Sequence, residues 1–214
     1  PILAAAREVL TTPVSRRYLA VQVLMYGQFI AYLSAAEQLW VDALGVGDMF
    51  PVYFAIIALL SAGAGFINSR LVMKVGMRRM LIAAFGSQTV FATLAFGLWT
   101  LGGLETASDP VRIGVFMAWT LSLFFINGLT LGNVTALAME PLPHVAGTAS
   151  AVIGAFGMGL GMPIAAAIGQ AFDGTPRPIM LGAVGCSFLA LTLVLTDMGR
   201  ERKAWPGRGS GFRL

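Results

Sequence analysis

The stretch GNVTALAMEPLPHVAGTASAVIGAFGMGLG, residues 132–161, decides the fold. Two apolar runs flank the short interruption Glu-Pro-Leu-Pro-His, and the second run is rich in glycine. Pro141 and Pro143 cannot continue a helix, because proline lacks a backbone N–H and its ring clashes with the preceding turn. The stretch therefore predicts two helices joined by a tight turn, and the composition of the whole chain indicates which solvent surrounds them.

The composition is that of a membrane protein. Of 214 residues, 57% are hydrophobic and 11% are charged, and the mean hydropathy is +0.79. Soluble domains carry about 25% charged residues, so an ordinary soluble domain is excluded. The chain has a single cysteine, Cys186, and a single histidine, His144, which leaves no disulfide and no cluster with metal-ligand spacing. We therefore expect no metal site and no cofactor.

Six segments are long enough to cross a bilayer, which requires about 20 mostly apolar residues. Glycine, proline and charged residues, which end helices, fill the breaks between them. The predicted spans are 18–43, 49–72, 79–101, 111–138, 146–172 and 178–196. The predicted fold class is an all-α membrane protein of six transmembrane helices. Residues 1–17 are expected to form a lead in which Pro13 stops any helix before the first span. Residues 18–197 are expected to form the bundle, and residues 198–214 are expected to form a basic tail.

The basic residues predict the orientation. Six spans place both termini on one side, and only Arg112 and Arg177 of the 14 Lys and Arg residues fall on the other side. The positive-inside rule then places both termini in the cytoplasm. Because the basic residues lie at helix ends without a recognition fold, they do not indicate a nucleic-acid partner. The partner that they indicate is the lipid bilayer with its anionic headgroups.

Residues 68–81, NSRLVMKVGMRRML, carry a recognisable loop motif. The segment resembles the second-half copy of the loop motif of the major facilitator superfamily, whose fuller pattern is G-x-x-x-D-R-x-G-R-R. Lys74, Gly76 and Arg78 match the pattern and Arg79 follows directly after it, whereas Met73 stands where the acid would be. The stretches 29–56 and 132–155 resemble the Bcr/CflA branch of drug:proton antiporters. One departure is Ala-Ala-Glu at 35–37, where Gly-Ser-Pro is expected in many relatives.

The resemblance implies a fold and a function. It implies helices seven to twelve, the C-terminal half of a transporter, built from two three-helix inverted repeats. It implies proton-coupled export of small amphipathic molecules across a bacterial inner membrane. The export would proceed by alternating access, in which this half works against an N-terminal six-helix half. We expect a piece of a longer protein, with a self-dimerising half-transporter and a non-transport assembly protein as alternatives. An intramembrane protease would need a serine and a histidine at membrane depth, and His144 falls in a surface turn, so we expect no enzyme.

Polar residues within the first and fourth spans are the candidates for a substrate cavity. Polar side chains at bilayer depth are costly unless they face a bundle interior or a watery cavity. The resemblance makes these two spans helices seven and ten, which line the cavity in the family. The predicted cavity residues are Tyr26, Gln28, Tyr32, Asn127 and Thr130. The alternative for each is a hydrogen bond between helices with no ligand.

Two further sets of residues are predicted to serve conformational change. The first set is the loop motif together with Glu140. Glu140 either pairs with the basic residues in one conformational state or remains an exposed loop carboxylate. The members of this set are Asn68, Arg70, Lys74, Gly76, Arg78, Arg79 and Glu140. The second is a smooth groove of small residues on the fifth span, which suits either sliding against the other half or static packing. Its members are Gly147, Gly154, Gly157 and Gly161.

Overall fold

The computed structural model describes residues 2–204, with the side chains of 105 and 198–204 left out of the description. Every regular element in this range is helical, and none is a strand. The eight α-helices are α1 Ile2–Thr11, α2 Pro13–Glu37, α3 Phe50–Ser61, α4 Gly63–Val75, α5 Met77–Thr100, α6 Asp109–Met139, α7 Ala146–Gln170 and α8 Arg177–Ala204. A π-helix, Gln38–Ala43, continues α2, and short 3₁₀ turns precede α3, α6 and α7.

Six stretches within the described residues are long and apolar enough to cross a membrane, which confirms the predicted fold class. They are Pro13–Ala43, Gly47–Val75, Met77–Thr100, Asp109–Met139, Pro143–Gln170 and Arg177–Asp197. The second span contains both α3 and α4, because the intervening Ala62 keeps a right-handed helical backbone, with φ −57° and ψ −28°. The protein is therefore a multi-pass membrane protein.

The first span begins earlier than the sequence predicted. Thr12 has an extended backbone and separates α1 from α2, and Pro13 occupies the first turn of α2. Proline is favourable there because the N–H that it lacks would have no helical partner. Arg16 and Arg17 consequently lie within the first turns of the span instead of ahead of it.

Helical structure extends into the predicted lead and tail. Residues 2–11 form the separate helix α1, in which Ala5 and Val9 are buried. At the other end α8 runs on to Ala204, and the predicted division between bundle and tail at 197 stays a prediction. The remainder of the predicted tail, 205–214, lies outside the described residues.

Helix α2 is the centre of the bundle and packs against α6, α7 and α8. Its closest approach is to α7, where a Cβ added at Gly27 would lie 2.7 Å from Ile164 Cγ2 and one added at Gly161 would lie 3.1 Å from Gly27 N. Backbones come this close only where side chains are small, which is how membrane helices gain packing energy.

Contacts between helix ends define two ends of the bundle. The start of α2, the α4–α5 turn, the α6–α7 turn and the end of α8 meet at what we call the basic end, where Arg17 and Arg78 pair with Asp197. At the opposite end, Arg112 Nη2 donates to the carbonyl of Ala43 over 2.9 Å. In the α7–α8 turn there, the Thr175 hydroxyl donates to Asp173, which holds the pKa of that carboxyl below its usual value.

Burial is uneven among the spans. In the most apolar stretch of each span, 56% of residues are buried in the first span, 28% in the fifth and only 11% in the second. The exposed side chains of the second span are large and apolar, among them Leu59, Leu60 and Phe66. The second and fifth spans therefore present most of their surface to something other than this bundle.

Candidate functional site

A strip of aromatic side chains joins α2, α3 and α6 on the surface of the bundle. The Phe124 ring meets the edge of Phe29 at a centroid distance of 5.0 Å and that of Phe54 at 5.6 Å. All three rings are half-buried, so each keeps a face or an edge that no other helix covers. Aromatic rings in such edge contacts provide an apolar surface of fixed shape.

Two of the predicted cavity residues extend this strip. Tyr26 lies three residues before Phe29 on α2, and Asn127 lies three residues after Phe124 on α6, a spacing that places each pair on one helix face. Both side chains are half-buried. The Asn127 amide donates to the Leu123 carbonyl over 2.9 Å, which fixes its orientation. We call these residues together the aromatic strip: Tyr26, Phe29, Phe54, Phe124 and Asn127.

The other three predicted cavity residues lie inside the bundle instead of on its open surface. Gln28 accepts a hydrogen bond of 3.0 Å from the Ser187 hydroxyl of α8. The Thr130 hydroxyl donates to the Ile126 carbonyl over 2.8 Å and lies 3.1 Å from the sulfur of Met25. The Gln28 carbonyl and the Thr130 hydroxyl are thus engaged by a neighbouring helix or by their own helix, and a role in a substrate cavity stays a prediction for both.

Tyr32, the third of them, is fully buried in an aromatic core. Its hydroxyl accepts a hydrogen bond of 2.9 Å from the indole N–H of Trp40, which lies in the π-helix. The Tyr32 ring also lies at 5.8 Å from both Trp119 and Phe124. Tyr32 thus anchors the end of the first span and supports the aromatic strip from behind.

A buried carboxylate organises the basic end. Asp197 of α8 has only 4% of its side chain exposed and accepts from Arg17, from the Tyr18 hydroxyl over 2.8 Å and from Arg78 Nε over 3.1 Å. Arg78 Nη2 also donates to Glu140 over 2.7 Å, which is the pairing of Glu140 with the basic loop that the sequence suggested. We call this group the Asp197 cluster: Arg17, Tyr18, Arg78, Glu140 and Asp197.

The remaining loop-motif residues have varied surroundings. Asn68 accepts a hydrogen bond of 2.7 Å from the buried Asn133 amide of α6. Arg70 is exposed and stacks on its neighbour Phe66 at 4.2 Å, while Lys74 and Arg79 are exposed. Gly76 has φ 85° and ψ 151°, a conformation that only glycine adopts readily, and it makes the single-residue break between α4 and α5.

The predicted groove of glycines divides into two parts. Gly157 and Gly161 face α2, where an added Cβ would lie 3.0 Å from Gln22 Cγ and from Tyr26 Cβ respectively. Gly147 and Gly154 have no atom within 4 Å of an added Cβ. The first pair packs within the bundle, and only the second pair lies on open surface.

Sequence reasoning did not find Asp197 or its partners Arg17 and Tyr18. The predicted last span ended at 196, and Asp197 was not among the predicted site residues. The signal available in the sequence was a carboxylate directly after an apolar run, in a chain with several arginines at that end. His144, in contrast, is exposed as expected, and its Nε2 lies 2.8 Å from Glu8. Among the described residues no group of histidine, cysteine or acidic side chains has the arrangement of a metal site.

Comparison with known proteins supports the resemblance drawn from the sequence. The chain is 26% identical over 179 residues to a protein named bicyclomycin resistance protein homolog, from Haemophilus influenzae. The similarity covers 81% of this chain and 42% of the relative, so the chain spans about two fifths of the length of that relative. No family profile matches the chain, and no solved structure matches it significantly.

The predicted resemblance to the Bcr/CflA branch is confirmed by this relative, and the six apolar helices fit the C-terminal half of a major facilitator superfamily transporter.

Proposed function

We propose that this chain is the C-terminal half of a secondary active exporter that moves small amphipathic molecules by alternating access. The observation that carries the proposal is the similarity to the bicyclomycin resistance protein homolog over 81% of the chain, together with six spans of matching character. The proposed membrane is the bacterial inner membrane, with both termini in the cytoplasm. The excess of lysine and arginine at the basic end supports this orientation.

The aromatic strip is the part of the bundle best suited to the substrate. It offers three phenyl rings, one phenol and one amide, and no charged group, which suits uncharged or weakly polar molecules with aromatic or alkyl surface. Tyr26 and Asn127 would supply hydrogen bonds that orient the ligand. Gln28, Tyr32 and Thr130 would act by holding the helices that carry the strip.

The proposed partner is an N-terminal six-helix half of the same transporter. Support for it comes from the low burial of the second and fifth spans and from the open surface around Gly147 and Gly154 on α7. Small residues on an exposed helix face allow another helix to approach closely. Proton coupling would use a carboxylate of that other half, because Asp197 is already held by Arg17, Tyr18 and Arg78.

The test is drug accumulation in energised cells, with bicyclomycin as the first drug because the relative's name refers to it. We compare the chain alone with the chain joined to its native upstream sequence, each with and without a proton uncoupler. The proposal expects lower accumulation only for the joined form, and only without uncoupler. Export by the chain alone would instead favour a self-dimerising half-transporter, and no export of any drug by either form would favour an assembly protein.

Asn127→Ala tests the aromatic strip in the same assay. We expect the joined form with this substitution to lose export while its level in the membrane stays unchanged, because among the described residues Asn127 bonds only its own helix. The matched control is Thr93→Ala, which removes an exposed hydroxyl that also bonds only its own helix. Equal export by the two variants would remove Asn127 from the site.

A further inference from the structure

Near the middle of α5 lies a buried polar side chain, Gln88, that makes no hydrogen bond within the described residues. Gln88 lies at the midpoint of α5, is 1% exposed, and bears two amide donors and one acceptor. Within the part of the chain that the structure describes, neither its Nε2 nor its Oε1 has a hydrogen-bond partner. Leaving an amide unpaired is costly in an apolar environment, so this residue calls for a partner from outside the chain.

Gln88 lines a cavity between α5 and α6 that has room for such a partner. The cavity has a volume of about 310 Å³, and we call it the α5–α6 groove. Its lining includes Ser87, Phe91, Ser122, Phe125 and Ile126, and it contains no charged residue. The two serine hydroxyls donate to carbonyls of their own helices, which leaves their oxygens able to accept. The groove is therefore an apolar cleft with two weak acceptors, and the buried amide of Gln88 lies at its wall.

The position of the groove separates it from the aromatic strip. Ser122 lies about 140° to 160° around the α6 axis from Phe124 and Asn127, at 100° per residue, so the two surfaces occupy nearly opposite faces of that helix. The α5 surface beside the groove is apolar and open, with Val90, Phe91 and Leu94 exposed by 61%, 41% and 59%. A ligand would thus reach the groove from the hydrocarbon phase.

We propose that the α5–α6 groove binds an uncharged amphipathic molecule from the lipid phase, which pairs an amide group with Gln88. The depth of Gln88 decides the class of ligand. About 17 Å of helix separates it from each end of α5 at 1.5 Å per residue, so a lipid headgroup cannot reach it. An acyl chain offers no partner for an amide, whereas a second amide satisfies the donor and the acceptor at once. A volume near 300 Å³ is at the lower end of the range for small-molecule sites.

The test uses two photoreactive probes that differ only at their polar end. Para-benzoylbenzamide carries a carboxamide, and para-methylbenzophenone carries a methyl group in the same place. The protein with its native flanking sequence is placed in lipid nanodiscs, irradiated with each probe, and mapped by mass spectrometry. We expect the carboxamide probe to label residues 87–91 and 118–126 about tenfold more than the methyl probe, as two added hydrogen bonds allow. Excess benzamide, which does not photoreact, should suppress this labelling.

Gln88→Leu should lower labelling by the carboxamide probe to the level of the methyl probe, because leucine fills similar space without a donor or acceptor. The matched control is Gln170→Leu at the exposed end of α7, which should change nothing. Equal labelling of the groove by both probes in the unmodified protein would overturn the proposal and leave water as the partner of Gln88. Retention of the carboxamide preference in Gln88→Leu would also overturn it. Labelling requires no transport, so its outcome is independent of the accumulation assay.

Discussion

Asp197→Asn is expected to destabilise the bundle by about 3 kcal/mol, near the lower limit for breaking a buried ion pair. The carboxylate has 4% of its side chain exposed and accepts from Arg17, Tyr18 and Arg78. Asparagine keeps one carbonyl acceptor but places an N–H₂ group among donors. The loss stays near the lower limit because Arg78 retains Glu140 and because 11% and 21% of the two arginine side chains remain exposed.

The comparison variant is Glu140→Gln. Its carboxylate is 49% exposed and pairs with Arg78 at 2.7 Å, and exposed ion pairs contribute about 0 to 1 kcal/mol. The free energy of unfolding, measured by steric trapping in lipid bicelles, should therefore separate the two variants by about 2 kcal/mol. The double variant Arg17→Leu with Asp197→Leu should lose less than the two single changes together, because it leaves no unpaired charge at Arg17.

The reasoning is refuted if Asp197→Asn is no less stable than Glu140→Gln. That result would mean that water reaches Asp197 and solvates Arg17 and Arg78 as well as the carboxylate does. The same measurement on Asp173→Asn, an exposed carboxylate in the turn at the opposite end, gives the background for removing any acid. It should lie within about 0.5 kcal/mol of the unmodified chain.

Two further predictions use the same unfolding measurement. Gly161→Ala should lower the free energy of unfolding by about 1 to 3 kcal/mol, because the added Cβ meets backbone atoms of α2 at 3.1 and 3.2 Å and these atoms cannot move independently. Gly154→Ala should be neutral or stabilising, because the space around Gly154 is open. Equal effects would show that α2 and α7 are not closely packed. Tyr32→Phe should lower the free energy of unfolding by about 1 to 3 kcal/mol, because it leaves the indole N–H of Trp40 buried and unpaired. This loss should be smaller when Trp40→Phe is also present. An equal loss in that background would assign the effect to something other than this hydrogen bond.

The spans were predictable because length and hydropathy are properties of a local stretch. The exact start of the first span was not predictable, because a proline such as Pro13 is found both where one helix ends and in the first turn of the next helix. The winding of 38–43 as a π-helix also has no local signal in the sequence, and within it Trp40 donates to the hydroxyl of Tyr32. Length and composition therefore predicted the number of helices, and side-chain contacts set where they begin and how they end.

The cavity was harder to predict, because a polar residue in a span can face either a watery surface or another helix. Gln28 and Tyr32 were both predicted as cavity residues, yet both lie inside the bundle, where Ser187 and Trp40 donate hydrogen bonds to them. Tyr26, which lies about 120° to 160° around the same helix from these two residues, is half-buried. The difference arises from which helices pack against α2, and that is information about the whole bundle instead of one segment.

The Asp197 cluster offers a physical reading of the loop motif that lacks its acid. Met73, which stands where the acid would be, is 86% exposed and takes no part in the cluster. The donors come from the first span, with Arg17 and Tyr18, and from the third, with Arg78. The acceptors Glu140 and Asp197 lie at the ends of the fourth and sixth spans. The cluster thus ties one set of three spans to the other at the basic end. We infer that this end of the bundle moves as a unit and that, under the proposed function, any sliding would occur at the open faces of the second and fifth spans.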